Sequence, residues 1–148
     1  MPETVLQGGR AKAYRPLSEA DRRAAFEAGL AAYRRGDFFE AHELLEPAWM
    51  GTADPTERAL HQGLIKLAAG YVHALRGNPE GMTKNLRGAH GWLVAVVAAG
   101  TPAIARSDVD VAAVVTAIED RLEALERTGT IAPIDPPTLN AKRPTDAA

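Results

Sequence analysis

The feature that most constrains this chain is a signal that ends one helix and begins another, and that occurs twice. Arg35-Gly36-Asp37 and Arg76-Gly77-Asn78 follow the same pattern 41 residues apart. In each, the glycine suits the left-handed position that ends a helix, and the next side chain can cap a new helix. A helix that restarts after so short a connection folds back on its predecessor. The pattern therefore predicts two helical hairpins.

Apolar residues at helical spacing predict an all-α, compact bundle of about five helices built from these hairpins and a closing helix. Pro47 should kink the second helix or end it near Glu46, because proline lacks the backbone donor. No stretch has a strand pattern. The predicted helix starts are Ser18, Asp37, Asp54, Pro79, and Ser107 or Asp108, and the last helix ends at Gly129.

Packing expectations follow from the same spacing. Gly63 and Gly70 interrupt a strongly apolar third helix, which predicts close contact with a neighbouring helix at those points. Trp49 and Trp92 are interpreted as core anchors. The predicted apolar side of the fourth helix consists of Met82, Leu86, Ala89, Leu93 and Val97.

A length of 148 residues fits one domain. Residues 1–17 contain glycine, proline and basic residues without a clear period, which predicts an extended or mobile arm. Residues 18–129 form the predicted helical bundle. Residues 130–148 are predicted to be an extended, proline-rich tail, in which Ile131, Ile134 and Leu139 could contact the surface. We expect the bundle to fold without this tail.

Composition excludes several kinds of function. The chain has no cysteine, so disulfides and thiolate chemistry are excluded. Its net charge is −2, so it lacks the overall basic field that nucleic-acid binding usually needs. No secretory signal and no membrane-spanning run is visible. We therefore expect a cytoplasmic protein that binds neither nucleic acid nor a membrane.

The second helix carries ionisable residues in an apolar stripe. With His42 at 0°, Glu46 lies at about 40° and Trp49 at about −20°, so all three share the core-facing side. Glu43 lies near 100°, at the edge of the stripe. A buried ionisable group needs a partner, because desolvating a charge is costly. These residues therefore predict a polar site.

Two interpretations of this site remain open. In the first, His42 and Glu46 hydrogen-bond each other and either a neighbouring backbone group or Gln62, and this buried network fixes the register of the helices without a cofactor. In the second, the His-Glu-x-x-Glu sequence acts like the His-Glu-x-x-His helix of zinc proteases. His42 and Glu46 would then bind a divalent metal such as zinc or manganese, and Glu43 would be the catalytic base.

A metal site would need a further ligand from another helix. The candidates are His61, Gln62, His73 and His90. On the third helix, Gln62, Lys66 and His73 fall within about 40° of each other and form a predicted polar seam. If that seam faced the second helix, a mixed imidazole and carboxylate cluster would result.

The chain resembles a known family, the small all-helical proteins called domain of unknown function 309. The resemblance covers about residues 26–95 and lies in Phe38 or Phe39, in Glu40-Ala41-His42-Glu43, Glu46 and Trp49, in Gln62-Gly63-Leu64-Ile65 and in Gly77-Asn78. It implies a compact bundle reminiscent of tetratricopeptide hairpins, with no established activity or cofactor. It also implies that His42, Glu43, Glu46 and Trp49 belong to the family's signature.

We therefore expect a small binding or scaffold protein for a small ligand or a protein partner, with a buried His/Glu polar cluster. Its site residues are His42, Glu43, Glu46, Trp49, Gln62 and His73. The alternative is a metal-dependent, hydrolase-like enzyme that uses the second interpretation of the site. Metal content distinguishes the two functions, and the sequence leaves the oligomeric state open.

Overall fold

A computed structural model describes residues 4–7, 10–105, 108–131 and 133–140, with the backbone alone for residues 4–7 and 10–13. Over these residues the predicted all-α bundle of five helices is confirmed. The elements are β1 (Thr4–Gln7), β2 (Arg10–Ala13), α1 (Glu19–Arg34), α2 (Phe38–Met50), α3 (Pro55–Leu75), α4 (Pro79–Ala99) and α5 (Val111–Thr128). The likeness to tetratricopeptide hairpins and the division into arm, bundle and tail stay predictions.

The expectation that the chain contains no strand is wrong for the N-terminal arm. β1 and β2 pair antiparallel, with Thr4 opposite Ala13 and Gln7 opposite Arg10. The sequence between the paired ends is Gly8-Gly9, a dipeptide typical of two-residue hairpin connections. The flanking residues lack a clear apolar period, so the sequence did not predict these strands.

The predicted helix boundaries rest on caps that the structure contains. Gly36 and Gly77 have positive φ angles of 83° and 70°, as the hairpin signal predicts. Asp37 Oδ1 accepts a hydrogen bond from the Glu40 backbone at 3.3 Å. The other N-cap side chains are Ser18, Asp54, Asn78 and Asp110.

Of the two outcomes predicted for Pro47, an end of α2 near Glu46 is wrong, because the helix continues to Met50. Because Pro47 is exposed, solvent can satisfy the carbonyl that loses its donor there. α5 begins after Asp110 rather than near Asp108, because the Asp110 side chain caps it and the Asp110 backbone N–H donates to Leu139 O at 2.9 Å. The other candidate start, Ser107, lies outside the described residues.

α3 is the central helix of the bundle. It packs against α2 on one side and α4 on another, while α1 packs on α2 and α5 on α4. A Cβ atom at Gly63 would lie 2.6 Å from Leu93 Cδ2, and one at Gly70 would lie 3.1 Å from Leu86 Cδ2. The prediction that these glycines permit close packing is confirmed.

The tail contacts the bundle more extensively than the sequence predicted. The Tyr33 hydroxyl donates to the Pro137 carbonyl at 2.8 Å, and the Tyr71 hydroxyl donates to the Asp135 carbonyl at 3.2 Å. Arg121 of α5 holds the same Asp135 through its carbonyl and its carboxylate. Leu139 is buried in the core. Residues 133–140 therefore close one end of the bundle.

No helix in the described part of the chain is long and apolar enough to span a membrane. The expected cytoplasmic location stays a prediction.

Candidate functional site

The predicted site on α2 lies at the margin of the core. Trp49 is buried, as predicted, at 2% exposure. His42 and Glu46 are half-buried and Glu43 is exposed. The buried side of α2 is centred on Phe38, Ala41 and Leu45. The helix is therefore rotated so that His42 and Glu46 lie at the edge of the apolar stripe, next to solvent.

His42 makes its closest described contacts on its own helix. Its Nδ1 atom lies 3.4 Å from Glu43 Oε1, and its ring stacks on Phe39 at a centroid distance of 6.5 Å. Phe39 is 58% exposed. The His42 Nδ1 atom is itself buried, and among the described residues no group meets the geometry of a hydrogen bond to it. The carboxylate that the structure places beside His42 Nδ1 is thus that of the neighbouring residue.

The buried His/Glu pair of this protein lies on α3 instead. The His61 side chain is fully buried and its Nε2 atom is 3.3 Å from Glu57 Oε2. Arg22 of α1 donates from Nε to the same oxygen at 2.8 Å. The ring of Phe26, also on α1, packs edge-on against His61 at 5.6 Å. This cluster therefore joins α1 to α3.

The electrostatics of Glu57 follow from these partners. Burial alone would raise its pKa, but hydrogen bonds from His61, Arg22 and Thr52 outweigh burial and lower the pKa to about 2. The carboxylate is charged throughout the neutral range, and its nearest cation is Arg22. A buried ion pair of this kind fixes the relative position of two helices, and removing one partner is strongly destabilising.

The sequence contained a signal for this cluster. Glu57 and His61 are four residues apart, so they share one side of α3, and that side also carries apolar residues. Glu57 lies in the first turn of α3, where an acidic residue is common, and from the sequence His61 is only a candidate metal ligand. Their burial depends on Arg22, 35 residues earlier in the chain, which no local pattern identifies.

The predicted polar seam of α3 borders α4. The Lys66 side chain lies within van der Waals contact of the position that a Cβ atom at Gly88 would occupy. His73 Nδ1 is 3.1 Å from Asn78 Nδ2, at the start of α4. Gln62 is buried, and its Oε1 atom has no hydrogen-bond partner within the part of the chain that the structure describes. The structure thus places Lys66 and His73 away from the α2 surface that carries His42.

The remaining candidate metal ligand, His90, pairs with Glu119 of α5 at 2.8 Å. Across the described ranges, no three His, Asp or Glu side chains come together in a group that could hold a metal ion. His42 and Glu46 stay a predicted ligand pair, and Glu43 stays a predicted base.

The second half of α4 presents an exposed apolar surface. Trp92, Val94 and Val97 are 45%, 42% and 46% exposed. We call these three residues, with Gly91, Ala95 and Ala98, the α4 face. All six are exposed.

The α4 face corrects two packing expectations. Trp92 is not a core anchor, and Val96 rather than Val97 completes the buried stripe of Met82, Leu86, Ala89 and Leu93. Val96 and Val97 follow Leu93 by three and four residues, so helical spacing allows either valine to be buried. The packing of α4 against α3 determines that Val96 is the buried one.

The fold and these sites define a small all-α protein of two helical hairpins and a closing helix, in which an Arg–Glu–His cluster joins α1 to α3. Residues 26–85 match the family model described as Domain of unknown function (DUF309). This match confirms the resemblance read from the sequence, and it covers the segment from the middle of α1 to the first turns of α4. No curated protein and no solved structure matches the chain.

Proposed function

We propose that this protein is a binding domain, in which a rigid helical scaffold presents the α4 face to another protein. The observation that carries the proposal is the exposure of Trp92, Val94 and Val97 within six residues of one helix. A contiguous exposed apolar patch is unfavourable in water and commonly marks a protein interaction site. Tryptophan is also the residue type most enriched among those that dominate binding energy.

The chemistry of the α4 face specifies its partner. No lysine, arginine, aspartate or glutamate occurs between Arg87 and Arg106. An ion pair with the centre of this surface is therefore impossible, and a charged partner group placed there would lose hydration without compensation. We infer a partner that presents an uncharged, apolar surface of similar size, such as one face of a helix.

The scaffold suits this role because the opposite side of α4 packs against α3 and α5. Leu93 and Leu86 pack into the space left by Gly63 and Gly70 of α3. Arg87 and His90 are paired with Glu126 and Glu119 of α5. A preorganised surface loses little conformational entropy when it binds.

Site-specific photo-crosslinking in living cells tests the proposal. A photo-reactive amino acid replaces Val97 in the α4 face or, as a control, Glu123, an exposed position on α5. We expect irradiation to give covalent adducts from position 97 and none from position 123. The absence of adducts from position 97 would overturn the proposal, as would equal adducts from both positions.

A further inference from the structure

A cavity of about 460 Å³ lies between the tail and the turn that joins α1 to α2. We call it the tail cavity. Its bundle side consists of residues 33–36 and Phe38, and its tail side consists of residues 136–140. Protein sites for small molecules typically have volumes of about 300–1,000 Å³. The tail cavity is therefore large enough to hold a small ligand.

The charged side chains that line the tail cavity are both arginines. Arg34 donates from Nη2 to the backbone carbonyl of Asp108 at 3.2 Å, and within the described ranges the Arg35 side chain has no hydrogen bond or ion pair. The carboxylate of Asp37, next in the turn, accepts a hydrogen bond from the Glu40 backbone and pairs with neither arginine. No aspartate or glutamate is among the described residues that line the cavity. Its two positive charges are therefore not neutralised by a carboxylate.

The tail adds two neutral hydrogen-bond donors to the same cavity. Thr138 and Asn140 both line it and are exposed, and across the described part of the chain neither side chain makes a hydrogen bond. Leu139, which lies between them, is buried in the core. A hydroxyl group and an amide group can each donate a hydrogen bond to an anionic oxygen. The tail cavity thus combines two guanidinium groups with two free neutral donors.

We propose that the tail cavity binds a small phosphate monoester. A phosphate monoester carries a charge of about −1.5 to −2 at pH 7, which balances two arginines, whereas a carboxylate carries only one charge. Guanidinium groups also bind phosphate oxygens in pairs of parallel hydrogen bonds. Phe38, Pro136 and Pro137 supply an apolar wall, which favours an ester with an apolar group over inorganic phosphate. This site is separate from the α4 face and does not depend on the function proposed for it.

The second hairpin turn of the chain provides a matched comparison. Arg35 and Arg76 each occupy the C-cap of a helix, with φ angles of −87° and −89°, and each precedes a glycine with a positive φ angle. The residue before Arg76 is Leu75 instead of a second arginine, and neither residue lines the tail cavity. The turn alone therefore does not form the proposed site, which needs both arginines and the tail.

Isothermal titration calorimetry of the full chain with sodium phenyl phosphate, in a phosphate-free buffer of low ionic strength, tests the inference. We expect one saturable site with a Kd below about 1 mM. The double variant Arg34→Gln/Arg35→Gln should raise the Kd at least about tenfold, because it removes the charge-assisted hydrogen bonds to phosphate. Asn140→Ala should raise it about threefold or more. Arg76→Gln is the matched control and should leave the Kd unchanged.

Two further probes identify the group that the site recognises. Sodium benzoate has a single negative charge and inorganic phosphate has no apolar group, so each should bind at least about tenfold more weakly than phenyl phosphate. Equal affinity for either probe would overturn the inference, as would the absence of saturable phenyl phosphate binding up to about 10 mM. Binding that the double variant does not weaken, or that Arg76→Gln weakens equally, would also overturn it. Far-UV circular dichroism establishes that each variant is folded, and if the double variant is not, Asn140→Ala decides.

Discussion

Replacing Glu57 with glutamine removes the negative charge that lies between Arg22 and His61 in the core. The pKa of Glu57 falls from its usual 4.5 to about 2 on folding. Each pKa unit corresponds to about 1.4 kcal/mol, so the charged carboxylate contributes about 3 kcal/mol to the free energy of unfolding at neutral pH. The side chain is 9% exposed, so solvent screening reduces this figure little.

The sign of the pH dependence follows from the lowered pKa. The contribution is fully present above pH 4.5, where the carboxylate is charged in both the folded and the unfolded chain. It is lost as the pH falls from 4.5 to about 2, because the unfolded chain takes up the proton first. Wild type should therefore lose about 3 kcal/mol of stability over this range through Glu57 alone.

Urea denaturation between pH 7 and pH 2.5, followed by circular dichroism, measures this contribution. We expect Glu57→Gln to be about 3 kcal/mol less stable than wild type at pH 7 and to approach it near pH 2.5. Glu119→Gln, which removes an exposed partner of His90, is the control and should cost less than about 1 kcal/mol at pH 7. If Glu57→Gln and wild type lost stability in parallel as the pH fell, the account of the buried cluster would be refuted.

Three further predictions concern the tail, the α3–α4 contact and the metal. Truncation after Gly129 should lower the free energy of unfolding by about 2–6 kcal/mol, because it leaves the hydroxyls of Tyr33 and Tyr71 without their acceptors. A melting temperature equal to that of a chain ending at residue 140 would contradict this prediction. Gly63→Ala should destabilise the fold by about 1–3 kcal/mol, since its Cβ would lie 2.6 Å from a leucine of α4. Gly91→Ala should instead stabilise the fold by up to about 1 kcal/mol, because alanine is the better helix former. Thermal denaturation that ranks the two variants in the opposite order would contradict the described packing. Chelator treatment should leave the melting temperature unchanged, and a drop of several degrees that zinc or manganese restores would favour the metal-dependent enzyme.

The hairpins could be predicted from the sequence because their signals are local. Asp37 and Asn78 cap helices within the same few residues that end the preceding ones, and Gly36 and Gly77 take the positive φ angle that their position demands. These capping interactions involve only residues that are close in the chain, so they do not depend on how the helices pack. Pro47 was the exception, because its effect depends on whether solvent reaches the helix at that point.

The candidate site could be predicted only in part. The sequence indicated a histidine and a glutamate in an apolar helix, but the buried pair is Glu57 and His61 rather than His42 and Glu46. The spacing of apolar residues predicts roughly which side of a helix is buried. Whether a residue at the edge of that side is buried or exposed depends on the neighbouring helices. The exposure of Trp92 has the same origin, since Val96 takes the buried place beside α3.

Acrylamide quenching of tryptophan fluorescence tests the central claim most directly, because the chain has two tryptophans and the account assigns them opposite environments. Trp49→Phe leaves Trp92 as the reporter, and Trp92→Phe leaves Trp49. Trp92 should be quenched strongly and Trp49 weakly. A Trp92 that is as protected as Trp49 in the dilute protein would contradict the account, because the α4 face would then not be free to bind a partner.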